Sequence, residues 1–167
     1  MQKDSGGNNM LREDFDYIYN KYFDNIFKVA FVHTKSHDVS MDIAQDVFIK
    51  FLTNSKEFDS EEHKKAWLLT CAHNSTMDYI RSHRYKEISI EEISEEQEYG
   101  IKTDETLKLL LTLPEKYKTP LYMYYYEGYK TEEIAKMLKK PASTIRVTLK
   151  RARDLLKDKL REEENGI

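Results

Sequence analysis

The segment from Thr131 to Arg153 constrains the fold more than any other, because it predicts two short helices joined by a tight turn. Thr131 can cap the first helix, and two glutamates follow where a helix N-terminus favours negative charge. Pro141 cannot continue that helix, since it has no N–H and its ring clashes with the preceding turn. Ser143 can then cap a second helix, whose apolar residues share one face: Ile145, Leu149, Ala152, Leu156 and Leu160. This pattern predicts a helix-turn-helix.

The opposite face of the second helix carries Arg146, Val147, Lys150, Arg151 and Arg153. Many solvated helices also place lysine and arginine opposite a core stripe. Between residues 130 and 161, however, bases far outnumber acids, although the whole chain has a net charge of −3. A basic segment in an acidic protein is typical of a surface that binds nucleic-acid phosphates.

The composition predicts an all-α fold, because 34% charged residues accompany only 5 glycines and 3 prolines in 167 residues. No stretch approaches the roughly 18 apolar residues of a membrane span. Residues 1–12 lack the apolar stretch of a signal peptide, and we expect them to be a disordered lead-in. A single cysteine, Cys71, can form no internal disulfide, so we expect a cytoplasmic protein.

The first half of the chain contains three predicted helices. An aromatic stripe predicts the first, from Phe15 to Phe31. Ser40 can cap the second, Met41 to Leu52, whose buried face is Ile43, Ala44, Val47, Phe48, Phe51 and Leu52. A third helix starts at Ser60 and extends to about Arg84, with Trp67 in the core and Cys71 as a buried, unreactive thiol.

One outward stripe of the second helix is unusual, because it combines polar side chains with an apolar one. Asp42, Gln45, Asp46 and Ile49 recur at helical spacing and share this face. An exposed isoleucine among acids suggests a docking surface. A solvated face with one stray apolar residue is equally compatible with the spacing.

We find no residue pattern that predicts catalysis. His33 and His37 have the spacing of a zinc-binding helix, but Thr34 stands where a metalloprotease motif has glutamate, and no third ligand is near. There is no Ser/His/Asp grouping, glycine-rich phosphate loop or CxxC pair. We therefore expect no catalytic residue, no metal, no cofactor and no enzymatic activity.

Residues 87–105 are strongly acidic and mark a linker between two small helical domains, residues 13–86 and 106–162. After the linker we expect a short helix, Thr106 to Leu113, and then a helix from Glu115 to Glu127. The second of these is packed by Leu121, Tyr122, Tyr124, Tyr125 and Tyr126. Pro120 conflicts with that helix, because proline inside a helix should kink it or move its start. Gly128 ends the helix. We expect residues 162–167 to form a frayed tail.

The C-terminal half combines a Leu-Pro-Glu start at Leu113, an aromatic helix that ends at Gly128, and a helix-turn-helix that ends in Arg-Ala-Arg at Arg153. In these motifs it resembles region 4 of sigma factors of the extracytoplasmic-function (ECF) group, where a proline at the position of Pro120 also occurs. The N-terminal half resembles region 2 of the same family in two stretches, MDIAQDVFIKFL and KAWLLTCAHNSTMDYIRSHR. The resemblance extends from about Phe15 to about Leu160.

The resemblance implies an alternative sigma factor that binds core RNA polymerase, recognises −35 and −10 promoter elements and assists promoter melting. It also implies an anti-sigma factor as a partner. The stripe of Asp42, Gln45, Asp46 and Ile49 would dock on core polymerase. The residues that would contact the −10 element are Phe58, Asp59, Asn74, Asp78, Arg81 and Arg84. Those that would contact the −35 element are Ser143, Thr144, Arg146, Val147, Lys150, Arg151 and Arg153.

Two residues depart from the family pattern. Lys139 stands in the turn of the helix-turn-helix where the family usually has glycine, and His73 replaces an arginine before Asn74. A histidine there could weaken a phosphate contact or make it sensitive to pH. Two other functions remain open: a helix-turn-helix regulator that acts without polymerase, and a sigma-like helical adaptor without promoter activity.

Overall fold

The computed structural model describes residues 5–54, 57–83 and 104–166. Over these residues the chain forms α-helices and no strand, which confirms the predicted all-α fold. The helices are α1 (Ser5–Thr34), α2 (His37–Thr53), α3 (Glu61–Ser82), α4 (Glu105–Leu111), α5 (Glu115–Tyr125), α6 (Thr131–Leu138) and α7 (Ala142–Asn165). None of the described helices is both long and apolar enough to cross a bilayer.

The first three helices pack against one another around α1. Ile26 and Val29 of α1 are fully buried, as are Val47 of α2 and Leu68 and Leu69 of α3. Helix α1 begins at Ser5, well before the predicted start, so residues 5–12 of the expected disordered lead-in belong to a helix. Once the packed part of α1 has nucleated, each added residue gains a hydrogen bond without a new nucleation cost.

The connection between α1 and α2 differs from the prediction. Lys35 adopts a left-handed conformation (φ 53°) and turns the chain directly after α1. Ser36, not Ser40, then caps α2 by accepting a hydrogen bond from the N–H of Val39 at 3.3 Å. Ser40 lies inside the helix, where its buried hydroxyl donates to the carbonyl of Ser36 at 2.6 Å. Two serines compete for this cap, and the tight turn at Lys35 brings the earlier one into position.

Helix α3 begins as predicted, because Ser60 accepts a hydrogen bond from the N–H of His63 at 3.1 Å. Its buried face is Leu68, Leu69, Ala72 and Thr76. Trp67 is half-buried and lies at the edge of the core rather than in its centre. Cys71 is also half-buried, and burial raises the pKa of its thiol, as expected of an unreactive cysteine.

Helices α4 to α7 form the second half of the described chain. Asp104 caps α4 by accepting from the N–H of Leu107 at 2.8 Å, so the last two residues of the predicted linker belong to this helix start. Most of that linker, residues 87–103, lies outside the described residues. Helix α5 continues through Pro120, which is buried. Tyr124 and Tyr125 were predicted to pack this helix, but they are 37% and 52% exposed because they lie on its outer face.

The two predicted caps of the helix-turn-helix are wrong. Lys130, rather than Thr131, precedes α6, and the carboxylate of Glu133 accepts the Lys130 N–H at 2.7 Å. Pro141, rather than Ser143, precedes α7, because its fixed φ suits the residue before a helix. Helix α7 also continues to Asn165 through the expected frayed tail, and Leu160 is 43% exposed because α7 there extends past its partner helices.

The two halves pack on each other. Helices α4 and α5 contact α1, and α6 contacts α3. The buried apolar side chains of both halves therefore belong to one continuous cluster. This arrangement fixes where the candidate binding surfaces lie relative to one another.

Candidate nucleic-acid and protein interfaces

Helix α7 presents the predicted basic face to solvent. Ile145, Leu149 and Ala152 are buried against α5 and α6. Exposed on the other side are Ser143, Thr144, Arg146, Val147, Lys150, Arg151 and Arg153, the residues predicted to meet the −35 element. Val147 is 48% exposed, which is unusual for valine on a packed helix. This face can donate hydrogen bonds, neutralise phosphates and make one apolar contact.

The turn between α6 and α7 is strained at Lys139, the residue that stands where the family usually has glycine. Lys139 adopts φ 53° and ψ 47°, the left-handed conformation that glycine enters most easily. The next residue, Lys140, donates its N–H to the carbonyl of Ala135 at 3.0 Å and so closes the end of α6. A lysine in this conformation costs about 1 kcal/mol relative to glycine. The turn nevertheless sets the angle at which α7 leaves α6.

The start of α7 adds a second feature suited to phosphate binding. Pro141 supplies no capping hydrogen bond, so no side chain of the described residues caps this helix. The first N–H groups of an uncapped helix are free to bond an anion, and the helix dipole favours negative charge there. Ser143 and Thr144 lie in this first turn and are exposed.

Helix α2 exposes the whole predicted docking stripe. Asp42, Gln45, Asp46 and Ile49 all face solvent, and Ile49 is 57% exposed. Leu52 was predicted to be buried, but it is 59% exposed because it lies in the last turn of α2, beyond the helices that cover Phe48. Leu52 follows Ile49 by three residues, and this helical spacing could have indicated that both lie on the same exposed face. Ile49 and Leu52 together give the stripe an apolar end.

The loop before α3 is anchored by aromatic contacts. Phe58 is half-buried, with its ring centroid 5.6 Å from that of Trp67 and 6.1 Å from that of Phe51. Asp59 is exposed, and its N–H donates to Nδ1 of His63 at 3.5 Å. The loop therefore presents Asp59 outward on a base of stacked rings, and Phe58 forms part of that base.

Helix α3 carries a polar face next to this loop. Asn74, Asp78 and Arg81 are exposed at helical spacing, and Arg81 forms an ion pair with Asp78. Arg84, the last residue predicted for this surface, lies outside the described residues. The structure thus brings three of the predicted side chains onto one helix face.

Sequence reasoning missed a polar cluster between the two halves, which we call the histidine node: His33, His73, Thr119 and Glu115. Nε2 of His33 lies 2.6 Å from the hydroxyl of Thr119, and Nδ1 of His73 lies 2.9 Å from the same oxygen. Nδ1 of His33 bonds the carboxylate of Glu115. These residues are far apart in sequence, so no local pattern could have signalled the cluster. No group of side chains among the described residues has the geometry of a metal site.

His73, which was predicted to weaken a phosphate contact or make it sensitive to pH, lies between the two halves. Burial, the neighbouring His33 and Lys140 lower the pKa of His73 to about 4. Burial also lowers the pKa of His33, and its bond to Glu115 opposes that shift only in part. Both rings are therefore neutral at neutral pH in this arrangement, and His73 faces Thr119 instead of a DNA strand.

Comparison with known proteins identifies both halves. Residues 18–85 match the family model described as Sigma-70 region 2, and residues 103–156 match Sigma-70, region 4. The chain is 30% identical over 168 residues to RNA polymerase sigma factor YlaC of Bacillus subtilis, across 92% of this chain and 97% of the relative. It is 25% identical over 170 residues to the ECF RNA polymerase sigma factor SigW of the same organism, across 90% and 91% of the two chains.

A solved structure has the same fold. It is the sigma factor RpoE of Bartonella quintana in a complex with the anti-sigma factor NepR. The TM-score is 0.70 at 20% sequence identity, and the match covers 89% of this chain and 98% of the other.

A helical chain with region 2 followed by region 4 is a transcription initiation factor that gives RNA polymerase its promoter specificity. The chain described here belongs to the ECF group of the sigma-70 family of RNA polymerase sigma factors. It is thus an alternative sigma factor, with core RNA polymerase and promoter DNA as its partners. The family predicted from the sequence motifs is confirmed.

Proposed function

We propose that this sigma factor reads a −35 element with α7, reads a −10 element with α3 and the loop before it, and assists promoter melting. The observation that carries the proposal is the exposed basic face of α7, which lies opposite a buried stripe that fixes its orientation. In this proposal residues 13–86 and 106–162 are the two reading domains, and residues 87–105 connect them.

The −35 half requires readout of duplex DNA. The guanidinium of Arg146 can bond both acceptors of a guanine in the major groove, and Val147 can contact a thymine methyl. Lys150, Arg151 and Arg153 lie further along the same helix, where they can meet phosphates or base edges. The uncapped first turn with Ser143 and Thr144 supplies N–H and hydroxyl donors for the backbone.

The −10 half requires capture of unpaired bases. Flipping a base costs a few kcal/mol, which hydrogen bonds and stacking in a pocket must offset. Asp59 can accept hydrogen bonds from a base edge, and the rings of Phe58 and Trp67 hold its loop in place. Asn74 and Asp78 extend this polar surface along α3, and Arg81 and Arg84 would hold phosphates. No catalytic group is required, because melting follows from capture of the opened strand.

The stripe on α2 is proposed to dock on core polymerase. Asp42, Gln45 and Asp46 supply acceptors and donors at the rim, and Ile49 supplies an apolar contact at the centre. Leu52 extends that contact by one helical turn. Because α2 packs firmly on α1 and α3, the stripe needs no rearrangement of its own backbone to bind.

We further propose that an anti-sigma factor regulates the protein, as in the complex of the Bartonella relative with NepR. We expect the protein to act in the cytoplasm, where polymerase and promoter DNA meet.

The function is tested by adding the protein to sigma-free core polymerase with a randomised promoter library and sequencing the transcripts. We expect transcripts that start at fixed distances from two enriched elements. Transcripts without sequence preference would refute the proposal. DNA binding without initiation would instead indicate a stand-alone regulator, and polymerase binding without initiation would indicate an adaptor.

A further inference from the structure

The contact between the two halves combines an apolar part with two polar clusters. Besides the histidine node, Glu127 of the C-terminal half is buried, with its side chain 2% exposed. It forms an ion pair with Lys65 at 2.7 Å and accepts hydrogen bonds from Asn25 at 2.8 Å and from Tyr122 at 2.8 Å. Asn25 and Lys65 belong to α1 and α3, so these bonds join the two halves.

The hydrogen bonds of the histidine node have one consistent order when both rings are neutral. Because Glu115 accepts from Nδ1 of His33, Nε2 of that ring carries no proton and accepts the hydroxyl of Thr119. The Thr119 oxygen can then accept from Nδ1–H of His73. Thr119, which is 1% exposed, is the central link of this chain of hydrogen bonds.

These polar clusters make the contact between the two halves easier to open. Satisfied polar groups can return to water at little cost, whereas an apolar interface cannot. Buried ion pairs add little net stability, since desolvation offsets their attraction. The Lys118–Glu115 pair beside the node, 3.4 Å apart within α5, is only partly buried, because the Glu115 side chain is 50% exposed.

The proposed function also requires the halves to separate. Elements at −35 and −10 are about 25 base pairs apart, which is roughly 85 Å of duplex at about 3.4 Å per base pair. A globular chain of 167 residues has a radius of gyration of about 15 Å. The longest described helix, α1, is only about 45 Å long. The packed arrangement cannot reach both elements at once.

We propose that the histidine node is a proton-sensitive latch that holds this packed arrangement closed, in a state that cannot reach both elements. This inference rests on the proposed function only for its inhibitory consequence. The latch itself depends on the geometry of Thr119 between two rings from different helices of the N-terminal half.

The charged groups around the histidine node determine whether protonation of the imidazoles favours the closed or the open state. Glu115 and Lys118 face it from α5, Lys35 lies after α1, and Lys140 lies between α6 and α7. Although burial raises it, the pKa of Glu115 is lowered overall by His33 and Lys118, so the node contains one carboxylate among several lysines. Two charged imidazoles would therefore repel each other and the lysines without enough negative charge to compensate.

The pKa of His73 in the closed and open states determines how the closed state responds to pH. Its pKa is about 4 in the closed state and about 6.5 when the ring is in water. The open state therefore binds more protons, and closing is fully favoured only above about pH 6.5. As the pH falls toward about 4, the ratio of closed to open molecules decreases about tenfold per unit.

Small-angle X-ray scattering of the full chain tests the latch. We expect a larger radius of gyration near pH 5 than near pH 7.5, with helix content by circular dichroism unchanged. His73→Asn keeps a donor where Nδ1 stands but cannot be charged, so this variant should expand less near pH 5 than the wild type, because only His33 remains to be protonated. An unchanged radius in the wild type, or equal expansion in His73→Asn, would overturn the proposal.

Thr119→Val supplies the second test, because it removes the central link without changing side-chain size. It should be expanded already near pH 7.5. Thr112→Val is the matched control: Thr112 is exposed, and its hydroxyl bonds only the carbonyl of Leu109 within its own half. A Thr119→Val chain as compact as this control near pH 7.5 would contradict the latch.

A transcription assay distinguishes failure of the latch from failure of the proposed function. With limiting sigma factor and core polymerase, Thr119→Val should initiate several-fold more transcripts than Thr112→Val, because more of it is in the competent state. Equal initiation by the two variants would show that the closed state does not inhibit. If neither initiates while scattering follows the expected pattern, the proposed function fails and the latch stands.

Discussion

At the scale of single residues, Lys139 shows how a local cost can be tolerated in a functional turn. Its left-handed conformation strains the backbone, yet the turn sets the position of α7 and therefore of Arg146 and Lys150. Both of these side chains are exposed, so in the proposed function they contact DNA without contributing to the core. Mutations at the turn and on the exposed face should thus have separable effects.

Lys139→Gly should raise the free energy of unfolding by about 0.5–1 kcal/mol, because glycine enters the left-handed region without a Cβ clash. Lys136→Gly is the matched control, since Lys136 is exposed in the interior of α6 and should lose about 1 kcal/mol. Chemical denaturation followed by circular dichroism measures both. A loss of stability in Lys139→Gly equal to that of the control would show that the turn is not strained.

Arg146→Ala should relax the preference for one base pair of the −35 element, which corresponds to roughly 1–3 kcal/mol of discrimination. Lys150→Ala, if Lys150 contacts a phosphate, should weaken binding to all sequences alike. It should also reduce the slope of log affinity against log salt concentration by about one. Binding of promoter libraries at several salt concentrations distinguishes the two. Identical specificity profiles for both variants would contradict the assignment of these side chains.

At the scale of elements, each helix divides its faces between core and solvent. Helix α2 buries Val47 and Phe48 and exposes the stripe that ends in Ile49 and Leu52. Helix α7 buries Ile145 and exposes its basic face. The proposed binding surfaces are therefore the outer faces of helices whose inner faces are fixed by packing.

Ile49→Ser should weaken binding to core polymerase by roughly 10- to 100-fold, because burial of a large aliphatic side chain is worth about 1.5–3 kcal/mol. Tyr17→Ser is a control with the same starting exposure, 57%, on the different helix α1. Titration of labelled protein with core polymerase gives both affinities. Equal affinities for the two variants would exclude the stripe as the docking surface.

The division of each helix into a buried and an exposed face explains which features the sequence could predict. Helical periodicity predicts which side of α2 and α7 is buried, and Ser60 marks the start of α3, because these signals are local. The choice between Ser36 and Ser40 as a cap depended on a turn at Lys35 that no local pattern indicates. The pairing of His33 and His73 through Thr119 depends on the packing of the two halves, so no periodicity within one helix can indicate it.

At the scale of the whole molecule, two halves that carry separate proposed reading surfaces share one core. The bonds that join them are largely polar and centre on the histidine node and Glu127. A sigma factor must place its two reading surfaces far apart on a promoter. The satisfied polar groups in this contact make that change less costly than it would be for a wholly apolar interface.

The central claim is that this protein makes core polymerase open promoters, and permanganate footprinting tests it most directly. On a promoter selected from the library, thymines around the −10 element should become reactive only when the protein and core polymerase are both present. Their reactivity should fall when Asn74 or Asp59 is replaced by alanine. Thymines that stay unreactive with both components present, while the protein is bound to polymerase, would contradict the account.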